Sequence, residues 1–91
     1  MITVKIQITG KVQGVWFRAS TKDAALSIGI KGKVWNEHNG DVGAIAQGTQ
    51  DQIDQFIKWC RNGPPLARVD HVEVEYLSVE DSFNSFDISK K

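Results

Sequence analysis

The sequence predicts an α+β fold in which two helices pack on one face of an antiparallel sheet. Three observations lead to this prediction. Residues 2–9 alternate apolar and polar side chains, two later segments space their apolar residues three and four apart, and an Asn-Gly pair separates two strand-like runs. Together these patterns give the element order βαββαβ, followed by a short fifth strand.

The first strand is predicted from a period of two, which is typical of a strand with one face in water. Its apolar positions are Ile2, Val4, Ile6 and Ile8, and the polar positions between and after them are Thr3, Lys5, Gln7 and Thr9. The first helix is predicted between Ala19 and Ile28, because residues at i, i+3, i+4 and i+7 form one helical face. These residues are Thr21, Ala24, Ala25 and Ile28, and Gly29 follows as a left-handed helix stop.

A hairpin should follow the first helix. The second strand is predicted from Gly32 to His38 and the third from about Asp41 to Gly48. The Asn39-Gly40 pair between them is the strongest short-range hairpin signal.

The second helix has a candidate capping box, Thr49 with Gln52, and a firm stop at residues 62–65, Asn-Gly-Pro-Pro. Its predicted buried face consists of Ile53, Phe56, Ile57 and Cys60. A fourth strand is predicted where Val72, Val74 and Tyr76 alternate with polar residues, and Phe86 and Ile88 indicate the short fifth strand.

This order suits a ferredoxin-like βαββαβ sandwich. In that topology the first and second strands run parallel with the third between them, so their carboxyl ends lie on the same edge of the sheet. The loop from Gly10 to Arg18 should therefore lie near Asn36, about two strand spacings (~10 Å) away.

Length and charge restrict the possible functions. The 91 residues suit one domain over positions 1–91, and 11 basic residues balance 11 acidic ones. A broad nucleic-acid or membrane-binding face is therefore not expected, and no apolar run approaches the ~20 residues of a membrane span. The lone cysteine, Cys60, favours a reducing cytoplasm, and no signal peptide is expected at the N-terminus. A monomer is the expected state at this size.

The loop from Gly10 to Arg18 combines features of an anion site. Gly10 and Gly14 allow positive φ, and the following helix offers free backbone N–H groups. The guanidinium of Arg18 suits two phosphate oxygens. A glycine-containing turn with an arginine is nevertheless more often plain structure, so spacing alone leaves both interpretations open.

The same stretch, GKVQGVWFR, resembles the acylphosphatase signature G-x-V-Q-G-V-x-F-R. Residues 28–36, IGIKGKVWN, resemble the L-G-x-x-G-x-V-x-N of that family, and residues 63–69, GPPLARV, resemble its G-P-x-x-A-x-V. Residues 86–88, FDI, resemble its terminal F-x-I. The resemblance therefore spans nearly the whole chain. Departures at Lys33, Trp35 and Asn39 lie outside the loop and leave Asn36 in place.

The resemblance implies a small stand-alone enzyme of the bacterial type that hydrolyses acyl phosphates to a carboxylate and inorganic phosphate without a metal or cofactor. It implies that Arg18 holds the phosphate and that Asn36 orients the attacking water. Backbone N–H groups would complete the phosphate site, from Gln13, Gly14, Val15, Trp16, Phe17 and Arg18. Inorganic phosphate and similar anions are expected as products or inhibitors.

Other interpretations remain possible at this point. The loop from Gly10 to Arg18 could bind phosphate or a carboxylate without catalysis. RNA-recognition motifs share the βαββαβ order, but they stack bases on aromatic residues of the first and third strands, which have none here. His38 and His71 lack metal-ligand spacing with Cys60, which is predicted to be core. Phe17 is expected to pack inward, whereas Trp16 could border the substrate site.

Overall fold

The computed structural model describes residues 1–78 and 82–90, with five strands and two helices in the predicted order. The strands are β1 (Ile2–Lys11), β2 (Lys31–Asn36), β3 (Val42–Gly48), β4 (Arg68–Leu77) and β5 (Phe86–Ile88). The helices are α1 (Phe17–Ile28) and α2 (Gln50–Asn62).

One sheet contains all five of these strands, in the order β4-β1-β3-β2-β5. The first four pair antiparallel, with β3 between β1 and β2, which confirms the ferredoxin-like topology. The fifth strand makes the sheet mixed, because β5 pairs parallel with β2. Before β5 begins, the Phe83 N–H donates to Gln47 Oε1 at 2.8 Å, close to the C-terminal end of β3.

The hydrophobic core lies between the sheet and the two helices. Val4, Ile6 and Ile8 of β1 are fully buried, as are Ile53, Phe56 and Cys60 of α2, whereas Ile2 is half-buried. Phe86 anchors β5 by packing edge-on against Phe56, with ring centroids 5.8 Å apart. Most of the predicted apolar positions therefore belong to the core, Cys60 among them, whereas Ile57 is half-buried and Tyr76 and Ile88 are exposed.

The prediction that the polar face of β1 lies in water is wrong near the N-terminal end of the strand. Thr3 was expected in water but is buried, because Gln47 Nε2 donates to Thr3 Oγ1 at 3.1 Å. Gln47 is also buried, and its Oε1 accepts the hydrogen bond from the Phe83 N–H. Phe83 is thus hydrogen-bonded to this corner of the sheet through Gln47.

Three residues that were predicted to mark helix ends have that role in the structure. Gly29 is left-handed and donates its N–H to Ala25 O, and Thr49 and Gln52 form the capping box of α2. The β2–β3 turn begins earlier than predicted, because the Glu37 N–H donates to Asp41 O and ends β2 at Asn36. Helix α1 likewise begins at Phe17 rather than at Ala19.

Within the described ranges, neither helix has the length and apolarity required to span a membrane.

Candidate active site

The loop of residues 12–16 joins β1 to α1 and presents its backbone to solvent. Gly14 has φ 74°, and Trp16, the N-cap of α1, has φ 64°. The first α1 amide with an acceptor is that of Ser20, which donates to Trp16 O at 3.0 Å. Among the described residues, no acceptor is found for the backbone N–H groups of residues 13–18. These groups are therefore available to an anion.

Buried side chains hold the loop in this form. Val12, Val15 and Phe17 are all 6% exposed or less. The Phe17 ring packs edge-on against Trp59, with centroids 5.7 Å apart, so its predicted inward orientation is confirmed. These side chains anchor the loop in the core, whereas Gly14 and Trp16 between them are exposed.

Gln13 ties the loop to the β2–β3 turn. Its Nε2 donates to Glu37 O at 2.7 Å and to Asp41 O at 2.9 Å. Only a backbone role was predicted for Gln13, because nothing in the local spacing indicates this long-range contact. The side chain fixes the loop beside the strand that ends in Asn36.

Asn36 is the last residue of β2 and lies on the same face of the sheet as Val34, toward the helices. Its Oδ1 is buried and has no hydrogen-bond partner among the described residues. A buried carbonyl oxygen of this kind costs about 1–3 kcal/mol when it is left unpaired. Packing alone therefore does not explain an amide at this position.

The loop and Asn36 meet at one cavity of about 410 Å³. Its lining residues are Val12, Gly14, Trp16, Phe17, Arg18, Ala19, Asn36 and Ile88. The neighbourhood predicted from the topology is thus present. Gln13 and Val15, which were predicted to contribute backbone N–H groups, do not line the cavity, and Ile88, which was not predicted as a site residue, does.

Among the described residues that line this cavity, Arg18 is the positively charged one and none is acidic. The first turn of α1 contains no acidic residue either. For the described residues, the close contacts between basic side chains and carboxylates are Arg68–Asp70 and His71–Glu73, both on β4, so Arg18 has no carboxylate partner there. The same residues contain no group of three or more His, Cys, Asp or Glu that could hold a metal ion.

This arrangement suits a bound oxyanion. A guanidinium and a helix N-terminus would bind its oxygens, and the neutral amide of Asn36 would accept a hydrogen bond beside it. Asparagine cannot take up a proton near neutral pH, so the cavity can orient a water molecule without deprotonating it.

Known proteins match this chain over most of its length. The acylphosphatase family model matches residues 4–88. An acylphosphatase from Methylococcus capsulatus is 41% identical over 86 residues, covering 94% of each chain. One from Pelotomaculum thermopropionicum is 37% identical over 84 residues, which is 92% of this chain and 91% of the relative. The crystal structure of the acylphosphatase from Bacillus subtilis superposes with a TM-score of 0.94 at 28% identity, covering 98% and 99% of the two chains.

Proposed function

The chain belongs to the acylphosphatase family and hydrolyses acyl phosphates, and we propose that Arg18, the loop amides and Asn36 carry out this reaction. One observation carries the assignment of roles. A single cavity brings together the Arg18 guanidinium and the buried Oδ1 of Asn36, neither of which has a partner among residues 1–78 and 82–90. These are the two functions that the reaction needs, a phosphate holder and a water holder.

Arg18 and the loop amides hold the phosphoryl group. Phosphoryl transfer spreads negative charge over the equatorial oxygens, so catalysis consists mainly of positioning and charge stabilisation. The Arg18 fork binds two of these oxygens, and N–H groups from residues 13–18 bind the remaining acceptor positions. The left-handed backbone at Gly14 and Trp16 supports this role, because it lets successive N–H groups converge.

Asn36 positions the nucleophile. Its Oδ1 accepts a hydrogen bond from a water molecule, whose oxygen attacks phosphorus as the bond from phosphorus to the acyl oxygen breaks. The bonding electron pair leaves with the carboxylate, which needs no proton. The proton released by the water passes to a phosphate oxygen, because none of the described lining residues is a base near neutral pH. The products are a carboxylate and inorganic phosphate.

Loss of either side chain should abolish most of the activity. We expect Arg18→Ala and Asn36→Ala each to lower kcat/KM for benzoyl phosphate by about 10²–10³-fold, measured with a chelator present. Arg18→Lys should recover only part of this loss, since an ammonium lacks the two-pronged fork. Thermal unfolding should show all three variants folded. Full activity in Arg18→Lys would refute the proposal that the guanidinium binds two phosphate oxygens. Phosphate binding without turnover in the unmodified protein would instead indicate a phosphate sensor.

The proposed proton acceptor predicts a flat pH profile. With the substrate phosphate as acceptor, kcat should change little between about pH 6 and 8. The control is a profile at saturating substrate, which separates kcat from binding. A bell-shaped profile of kcat with a histidine-like pKa would contradict this proposal and would indicate that a protein side chain acts as the base.

We further propose a monomeric, single-domain enzyme that acts in the cytoplasm on small molecules, with inorganic phosphate as product and competitive inhibitor. The buried, unpaired thiol of Cys60 suits a reducing compartment. Sedimentation at micromolar concentration tests the monomer, and inhibition by added phosphate tests the product site.

A further inference from the structure

Two exposed apolar side chains border the cavity that contains Arg18 and Asn36. Trp16 is 76% exposed and Ile88 is 44% exposed. We propose that they bind the acyl group and make the enzyme prefer acyl phosphates with an aromatic acyl group over acetyl phosphate. This inference rests on the phosphate site proposed above and adds the part of the substrate that Arg18 does not contact.

Trp16 contributes little to the fold itself. Among the described residues, it is the one non-glycine residue with positive φ, a conformation that is costly for a bulky side chain. Its ring has no aromatic contact and its indole N–H no hydrogen bond within the same part of the chain. A strained tryptophan that is left in water at the edge of the cavity gains contacts when a ligand covers it.

Ile88 is held in place by the pairing of β5. Phe86 is buried against Phe56, and the parallel register places Ile88 beside Val34, two positions before Asn36 on β2. The strand therefore fixes an apolar side chain next to the water-binding position. Because β5 is anchored in the core, this side of the cavity is preformed.

The chemistry of the substrate directs its acyl group to these residues. A single oxygen joins the acyl carbon to phosphorus, so the acyl group lies directly beside the phosphate held by Arg18. A cavity of about 410 Å³ lies in the range of sites for small organic molecules, which span roughly 300–1,000 Å³. Besides Arg18, Asn36 and the indole N–H of Trp16, the described lining side chains are apolar or, at Gly14, absent, so a ring packs well against them.

The decisive measurement is the ratio of kcat/KM for benzoyl phosphate to kcat/KM for acetyl phosphate. We expect this ratio to fall about 10-fold in Trp16→Gly and in Ile88→Thr, in line with the discrimination that an apolar pocket provides. Trp16→Phe should retain most of the preference, because it keeps an aromatic face. Glycine adopts φ 64° without strain, so Trp16→Gly should remain folded, and thermal unfolding checks this.

Tyr76→Ala is the matched control. Tyr76 is also an exposed aromatic residue, but it pairs with Val4, about 23 Å along β1 from Lys11. Its removal should leave the ratio unchanged. An unchanged ratio in both Trp16→Gly and Ile88→Thr would overturn the inference. Failure of the proposed phosphate site would differ, since Arg18→Ala would then retain full acetyl phosphate turnover.

Discussion

Two left-handed residues, Gly14 and Trp16, shape the loop that is proposed to hold phosphate. Alternation of left-handed and right-handed backbone turns successive N–H groups toward one point, which is how a concave anion site forms. At Gly14, a Cβ would meet nothing within 4 Å, so space does not require glycine there. The requirement comes from its φ of 74°.

Gly14→Ala and Gly40→Ala make a matched pair that separates strain from function. Both glycines have positive φ and open space at the Cβ position, but Gly40 does not line the cavity. Each substitution should lower the free energy of unfolding by about 1–2 kcal/mol, as expected for a non-glycine residue in this conformation. Only Gly14→Ala should also lower kcat/KM, because relaxation of the loop moves the amides.

Urea unfolding and benzoyl phosphate hydrolysis on the same preparations check this prediction. Equal losses of activity in the two variants would show that general destabilisation, rather than the geometry of the loop, causes the effect.

At the scale of elements, the site depends on how the β1–α1 loop meets the β2–β3 turn. The Gln13 amide connects them through two backbone carbonyls, Glu37 O and Asp41 O. Neither carbonyl belongs to the cavity, so the contact acts on the site through position alone.

Gln13→Glu should therefore be more harmful than Gln13→Ala. Alanine removes two hydrogen bonds, which costs about 1–3 kcal/mol of unfolding free energy. A carboxylate adds repulsion against the two carbonyl oxygens, so Gln13→Glu should lose more stability at pH 7 and recover part of it below about pH 4, where the carboxyl group protonates. Urea unfolding at both pH values measures this difference. Equal stability of the two variants at pH 7 would contradict the role of the Gln13 amide in connecting the loop to the β2–β3 turn.

The elements that could be predicted are those with local causes. The capping box of α2 and the left-handed Gly29 follow from side chains within one turn, and alternation in β1 follows from one buried face. The proximity of Asn36 to the loop followed from the topology. The left-handed Trp16 could not be predicted, because bulky residues rarely adopt positive φ. The parallel pairing of β5, which brings Ile88 to the cavity, depends on contacts distant in sequence.

At the scale of the whole molecule, both helices and the sheet share one core, and the site lies at its edge. Cys60 lies inside this core and is completely buried. Burial raises the pKa of the Cys60 thiol to about 12, against a smaller lowering by the neighbouring Arg61. The thiol therefore stays protonated in the folded protein, which disfavours a nucleophilic role.

This shift predicts a loss of stability in alkali. In the unfolded chain the thiol ionises near its ordinary pKa of about 8.5, whereas in the folded chain it does not ionise until about pH 12. The stabilisation is complete below the unfolded pKa, and it is lost as pH rises toward 12, because the unfolded state then binds fewer protons. Cys60 should thus lower the free energy of unfolding by about 1.4 kcal/mol per pH unit in that interval.

The difference between the unmodified protein and Cys60→Ala isolates this effect, because lysine and tyrosine titrations are common to both. Cys60→Ala should be less stable at pH 8, since it leaves a cavity in the core, but its stability should fall less steeply between pH 9 and 11. Urea unfolding at half-unit pH steps gives the two curves, which should converge with rising pH. Parallel curves would show that the thiol titrates alike in the folded and unfolded chains, and that the core around α2 opens to solvent far more readily than its burial implies.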